Sequence, residues 1–168
     1  MKRKEKMAQT DCVVSPLGYI RSGKKGFILE IKPEYREALI GLEGFSHINV
    51  LWWSHLLDNP DSRRVLTCEK PYVKSPDRLG IFATRSPIRP NPICLTVAQV
   101  LYVDEANGRI GVAWIDAEDG TPILDIKPYI PCSDRVKNVS TPAWNAHWPA
   151  WYEESGEFDW ASEFVNAQ

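Results

Sequence analysis

With 168 residues, 43% apolar and 25% charged, the chain suits one domain around a single sizeable core. A net charge of −2 excludes a protein that holds nucleic acid by bulk electrostatics, and leaves that task to a local basic patch. No apolar run is long enough to span a bilayer and the opening MKRKEKMAQT lacks an apolar signal core, so a cytoplasmic protein without membrane association is expected.

Residues 1–12 read as a disordered tail whose Lys2, Arg3, Lys4 and Lys6 are solvated; an arm touching RNA is the alternative. Residues 13–22 alternate as an opening strand, and residues 26–32 alternate again with Phe27, Leu29 and Ile31 on one face. Pro33 suits a first helical turn, and Tyr35, Ala38, Leu39 and Leu42 follow at helical spacing before Gly41 and Gly44 end the run. Residues 47–56, HINVLWWSHL, predict a central strand bracketed by His47 and His55. Either histidine reads by default as a satisfied strand-end imidazole.

From Asp58 to Arg78 the composition turns to Asp, Asn, Pro, Arg and Lys, which predicts a loop or irregular edge. Arg63, Arg64, Lys70, Tyr72 and Lys74 lie in it, and such interleaved basic and aromatic side chains can hold phosphate and stack a base. They are the candidate nucleic-acid contacts; a solvated loop is the equal alternative. The stretch that follows, GIFATRSPIRPNPICL from Gly80 to Leu95, is the most unusual in the chain. Its three prolines forbid a continuous helix or ladder and predict a stiff loop on which Arg85 and Arg89 are preorganised for carboxylate or phosphate. A connector with solvated arginines is the plainer alternative.

Residues 93–103 and 109–116 predict a hairpin around an Asn-Gly turn, and after the tight turn at 118–122 the run ILDIKPYIP predicts a last strand with Asp125 and Lys127 on one face. Beyond Pro131 the chain is rich in tryptophan (Trp144, Trp148, Trp151, Trp160), with Trp148, Trp151 and Tyr152 placed to share a helix face. Cys12, Cys68, Cys94 and Cys132 form no CxxC pair and the three histidines no cluster, so no metal site is expected. Cys94, flanked by Ile93 and Leu95, reads as a small buried thiol in a strand rather than a nucleophile. Many short strands with little helix predict a mainly β fold: a single small β-barrel of mostly antiparallel strands with one or two short helices. No G-x-G-x-x-G run follows the first strand, which removes support for a Rossmann-type cofactor site.

The run Gly80–Leu95 resembles the central motif of the TsaA-like (YaeB-like) family, which includes the tRNA methyltransferase O (TrmO) enzymes, with Cys94 where that family usually has glycine. The run DGTPILDIKPYIP, Asp119–Pro131, resembles a second family motif, and GLEGFSHI, Gly41–Ile48, a weaker third. The resemblance implies a barrel domain over 13–135 that binds S-adenosylmethionine near a homodimer interface, with 136–168 packing on the barrel or a partner subunit. It implies N6-methylation of threonylcarbamoyl-adenosine beside the anticodon of tRNA. A non-catalytic cofactor-binding module, or transfer to a different acceptor, is the alternative.

Carried over residue by residue, the resemblance makes Arg85 the first candidate for the cofactor's carboxylate and Arg89 the second. Leu95 would cover the adenine, the turn Asp119, Gly120, Thr121 and Pro122 would present backbone amides, and His55 would lie near the cofactor. Asp125, His55 or water would take the acceptor's proton. The chain departs from many relatives between Ser22 and Phe27, where GKKG replaces a longer insertion carrying a Pro-Gln cofactor contact, and it lacks the additional C-terminal domain of the longer bacterial members.

Overall fold

The computed structural model describes residues 12–23 and 26–166. The predicted tail and its basic residues Lys2, Arg3, Lys4 and Lys6, like Lys24 and Lys25 of the GKKG segment, lie outside the described residues.

Eight strands follow in chain order: β1 (Gly18–Gly23), β2 (Gly26–Ile31), β3 (His47–Trp53), β4 (Thr67–Glu69), β5 (Arg78–Gly80), β6 (Ile93–Asp104), β7 (Arg109–Val112) and β8 (Pro122–Pro128). Six of them close a barrel in the order β1-β2-β7-β6-β3-β8, with every neighbouring pair antiparallel, and β4 and β5 form a separate ribbon. Closure leaves the barrel strands no open edge. Its interior is aliphatic: Ile20, Leu29, Ile48, Val50, Ala98, Ile110 and Ile123 are fully buried. Each large aliphatic side chain so buried contributes roughly 1.5–3 kcal/mol. The alternation that places Leu29 and Ile31 inside is the period-two pattern visible in the sequence.

The observed elements are shorter than predicted where nothing buries their ends. Val13 and Val14 are exposed, and pairing starts only when the Leu17 amide donates to Ile123 O at 2.8 Å. Residues 33–39 form a 3-10 helix rather than an α-helix, started by Pro33 and followed by Gly41 in the left-handed region (φ +82°). Seven residues with one buried side chain, Leu39, give an α-helix too little to pack. β3 stops at Trp53, where the Ser54 amide turns to Pro92 O (2.9 Å) and His55–Leu57 make a 3-10 turn. Within the predicted loop of 58–78, Asn59 accepts the amides of Asp61 and Ser62, and a 3-10 turn precedes the β4–β5 ribbon. A three-residue strand with one partly buried position has no alternation to read.

Among the described residues two short α-helices follow the barrel: α1 (Pro131–Asp134) and α2 (Trp160–Glu163). Asp134 closes α1 on the barrel, accepting the Ile130 amide (2.7 Å) and the Asn49 side-chain amide (2.9 Å). The α2 segment joins the ribbon's connection, since the Val73 amide donates to Glu163 O (3.1 Å) and the Val165 amide to Pro71 O (3.0 Å).

Candidate functional site

At the end of the barrel where β3 and β7 stop and β8 begins, the turn before β8 is bound to the first hairpin. Asp119 accepts the Ser22 amide (3.0 Å), the Gly120 amide donates to Ile20 O (2.8 Å), and the Ile20 amide donates back to Thr121 O (2.8 Å). Gly120 sits at φ +79°, a conformation glycine adopts without strain. Thr121, buried by this arrangement, places Oγ1 3.5 Å from His55 Nδ1, across 66 residues of sequence. Together with Ser22, Phe27, Trp52, Ser54, Leu56, Leu57, Pro87 and the segment 114–118, these residues line a cavity of about 590 Å³.

A second cavity, of about 930 Å³, lies between the ribbon, the proline-rich loop and the C-terminal segment. Its aromatic side is built from rings that hold one another: Tyr72 stacks on Trp144 (5.4 Å), Trp148 meets Trp160 edge-on (5.4 Å), and Trp160 stacks on Phe164 (5.9 Å). Behind them Glu163, buried, pairs with His147 Nε2 at 2.9 Å. Burial pushes the Glu163 carboxyl up, but the hydrogen bond from His147, with the charges of His147 and Lys74, outweighs it and holds the group below its ordinary range. The two cavities share Pro87, Trp114 and Asp116. Both volumes fall within the ~300–1,000 Å³ of small-ligand sites.

The structure gathers some of the sequence candidates and separates others. His55 and Thr121 line the smaller cavity, while Arg85 lines the larger and donates to Leu95 O at 2.6 Å. Leu95 itself lies half-exposed on the outer face of β6. Arg89 Nη2 donates to Ile81 O (3.1 Å) and Thr84 O (2.8 Å), so this side chain ties the proline-rich loop to itself, and it lines neither cavity. The amides of Gly120 and Thr121 go to Ile20 O and Glu118 O, and Pro122 has none, so these three positions offer a ligand no backbone donor. Asp125 pairs with Lys127 (2.7 Å) on the barrel surface and lines neither cavity.

Among the expected nucleic-acid contacts, Arg63 is held by Asp58 (3.0 Å from Nη2) and lies over the Trp53 ring, Arg64 pairs with Asp61 (3.1 Å), and Lys70 is 3.9 Å from Asp77. That Arg63 bond, chiefly, holds the Asp58 carboxyl below its usual range. Tyr72 is buried in the aromatic cluster, which takes the ring away from the surface. Lys74 is exposed. Cys94 faces inward opposite Trp52, and burial pushes its thiol up to about 11.

Sequence reasoning missed Trp114 and Asp116, because 109–116 reads as a strand while β7 ends at Val112, and Glu118, because it reads as part of a tight turn. The available signal was position: WIDAE stands immediately before the DGTP run and mixes an aromatic with carboxylates. Among the described residues no group of three or more His, Cys, Asp or Glu is placed to hold a metal ion, and no helix is long and apolar enough to cross a membrane.

Comparison with known proteins adds four findings. Residues 18–135 match the model of the tRNA-methyltransferase O N-terminal domain. A probable S-adenosyl-L-methionine-binding protein of Pyrococcus horikoshii is 46% identical over 114 residues, covering 68% of this chain and 79% of its own. A mouse tRNA (adenine(37)-N6)-methyltransferase is 40% identical over 108 residues, 64% of this chain but only 23% of the mouse protein. A crystal structure of TrmO from Pseudomonas aeruginosa superposes with a TM-score of 0.63 at 32% identity, covering 83% of this chain and 64% of the solved one. The chain therefore spans less than two thirds of the solved TrmO chain.

Proposed function

Because this chain belongs to the family of the tRNA-methyltransferase O N-terminal domain, we propose that it is an S-adenosylmethionine-dependent methyltransferase acting on tRNA, with N6 of threonylcarbamoyl-adenosine beside the anticodon as acceptor. The observation that carries this reading is the smaller cavity, which assembles His55 and Thr121, two of the residues to which the family resemblance points, from distant parts of the chain.

The residues around that cavity fit the cofactor. Phe27, Trp52, Trp114, Leu56 and Leu57 offer apolar cover for a flat adenine; Ser54, Thr121 and His55 offer polar groups for the ribose. Asp116 and Glu118 complement the cofactor's ammonium and sulfonium charges. S-adenosylmethionine supplies a methyl group already activated on its sulfonium. The chain's own contribution is then to orient the partners and exclude water, which can supply much of the barrier reduction. His55 remains a candidate to receive the acceptor's proton; Asp125, paired with Lys127 away from both cavities, is a poor one.

A homodimer is part of the proposal. Ile93 (40% exposed) and Leu95 (44%) leave an apolar face beside Arg85 on the outside of β6, and Phe82 (82%) stands exposed in the 3-10 turn after β5; a second copy would cover them. A cytoplasmic location is part of the same proposal. The naming of the Pyrococcus relative for binding alone favours one second reading, a module that binds the cofactor without transfer.

Calorimetric titration with S-adenosylmethionine and S-adenosylhomocysteine, followed by transfer of labelled methyl to tRNA carrying the modified adenosine, separates the two. Binding with transfer supports the enzyme, binding without transfer the module, and no binding to folded protein removes both.

A further inference from the structure

We propose that the 930 Å³ cavity holds the nucleobase that is to be methylated, and that the C-terminal aromatic segment forms one wall of this base pocket. The proposal rests on the reading of the smaller cavity as the cofactor's. The two cavities meet at Pro87, Trp114 and Asp116, so occupants of each face one another there, as donor and acceptor of a methyl group must.

The lining suits a base and not a phosphate. Trp114, Trp148, Trp160 and Phe164 supply flat apolar surface, and the mutual packing of Trp148, Trp160 and Phe164 with the buried Tyr72 holds those rings in place without a ligand. Two carboxylates, Glu69 and Asp116, stand against one guanidinium, Arg85. The two carboxylates can accept N–H groups, the N6–H of the base among them, and the guanidinium can take the carboxylate that the threonyl group carries. Asp116, at the junction of the cavities, is placed to accept that N–H. Lys70 lies between the lining residues Glu69 and Pro71, and the exposed Lys74 follows close behind, where cations can meet the sugar-phosphate backbone outside the pocket.

Trp148, Trp160, Phe164 and Asn166 all lie beyond the 18–135 matched by the family model. This wall is thus a feature of the chain's own C-terminal segment, held on the ribbon by the Val73–Glu163 and Val165–Pro71 backbone bonds.

Thr67→Trp tests the pocket. Thr67 is an exposed residue of β4 whose hydroxyl accepts only a surface bond from Arg78 (3.2 Å), so a tryptophan there fills the larger cavity without touching the core or the smaller cavity. The probes are a stem–loop RNA with threonylcarbamoyl-adenosine on the 3′ side of its anticodon, read by fluorescence anisotropy, and S-adenosylhomocysteine, read by calorimetry. The expected result is at least tenfold weaker RNA binding with S-adenosylhomocysteine affinity within twofold of the parent. Unchanged RNA binding in a folded variant overturns the proposal, as does parallel loss of both ligands or a parent that does not bind the RNA. Failure of the parent to bind S-adenosylhomocysteine while it binds RNA as proposed would sink the cofactor reading and leave the pocket standing.

A second measurement needs no variant. Photolabelling of the parent with the same stem–loop carrying 8-azidoadenosine at that position should mark peptides from 65–72 or 148–166. Labels confined to other regions would overturn the assignment.

Discussion

Cys94 and Arg89 occupy adjoining parts of one motif, and the structure gives them opposite kinds of work. Cys94 is an inward-facing strand residue whose thiol burial raises to about 11, and burial also raises that of Cys68, so both stay protonated at neutral pH. Cys12 and Cys132 are exposed. Thiol titration of the native protein at pH 8 should therefore show two fast cysteines, with Cys94 reacting only on unfolding; rapid modification of Cys94 in folded protein would contradict its placement. Arg89→Ala removes the donor to two carbonyls and should destabilise the protein by roughly 1–3 kcal/mol. Arg85→Ala removes one exposed bond to Leu95 O, so its melting temperature should match the parent while binding of the anticodon stem–loop falls, because Arg85 lines the larger cavity. Thermal melts and calorimetry on the two variants read this contrast, and an equal loss of stability in both would refute it.

Among the elements, the turn before β8 and the α2 segment carry the site. Gly120→Ala meets no steric obstacle, since nothing lies within 4 Å of the added Cβ, but φ +79° makes it strained. A cost of about 1–2 kcal/mol is expected. Denaturant midpoints check it. Because the Gly120 and Thr121 bonds to β1 set the position of Thr121 against His55, S-adenosylhomocysteine affinity should drop in the same variant. For α2 the sign of pH dependence follows from Glu163. Its folded pKa is depressed, so its contribution is fully present above the ordinary carboxylate value and is lost as pH falls through the folded value. Tryptophan emission from the C-terminal cluster should shift at acid pH before the barrel unfolds. Glu163→Gln should flatten that early step, and an unaltered step would exclude Glu163 as its origin.

At the scale of the molecule, a closed barrel carries the smaller cavity at one end, and the larger cavity opens beside it between the ribbon and the C-terminal segment. Light scattering should return twice the chain mass if the face around Phe82, Ile93 and Leu95 is covered by a second copy, and Leu95→Lys should return the single mass; a monomer in both would remove the dimer. The barrel was legible from the chain alone because a strand buried on one face must alternate, and β2 and β6 do so with the turns between them marked by glycine and asparagine. The cofactor family was legible because backbone turns such as the one at Gly120 demand particular residues at particular spacing. What only the tertiary structure decided was the grouping of side chains. Tertiary packing directed Arg89 into its own loop, buried Tyr72 under Trp144, set Asp125 against Lys127, and brought Trp114 and Asp116 to the junction of two cavities. The physical reason is that alternation and turn chemistry act over a few neighbouring residues, whereas a cavity is lined by whichever distant segments the closure of the barrel brings into contact.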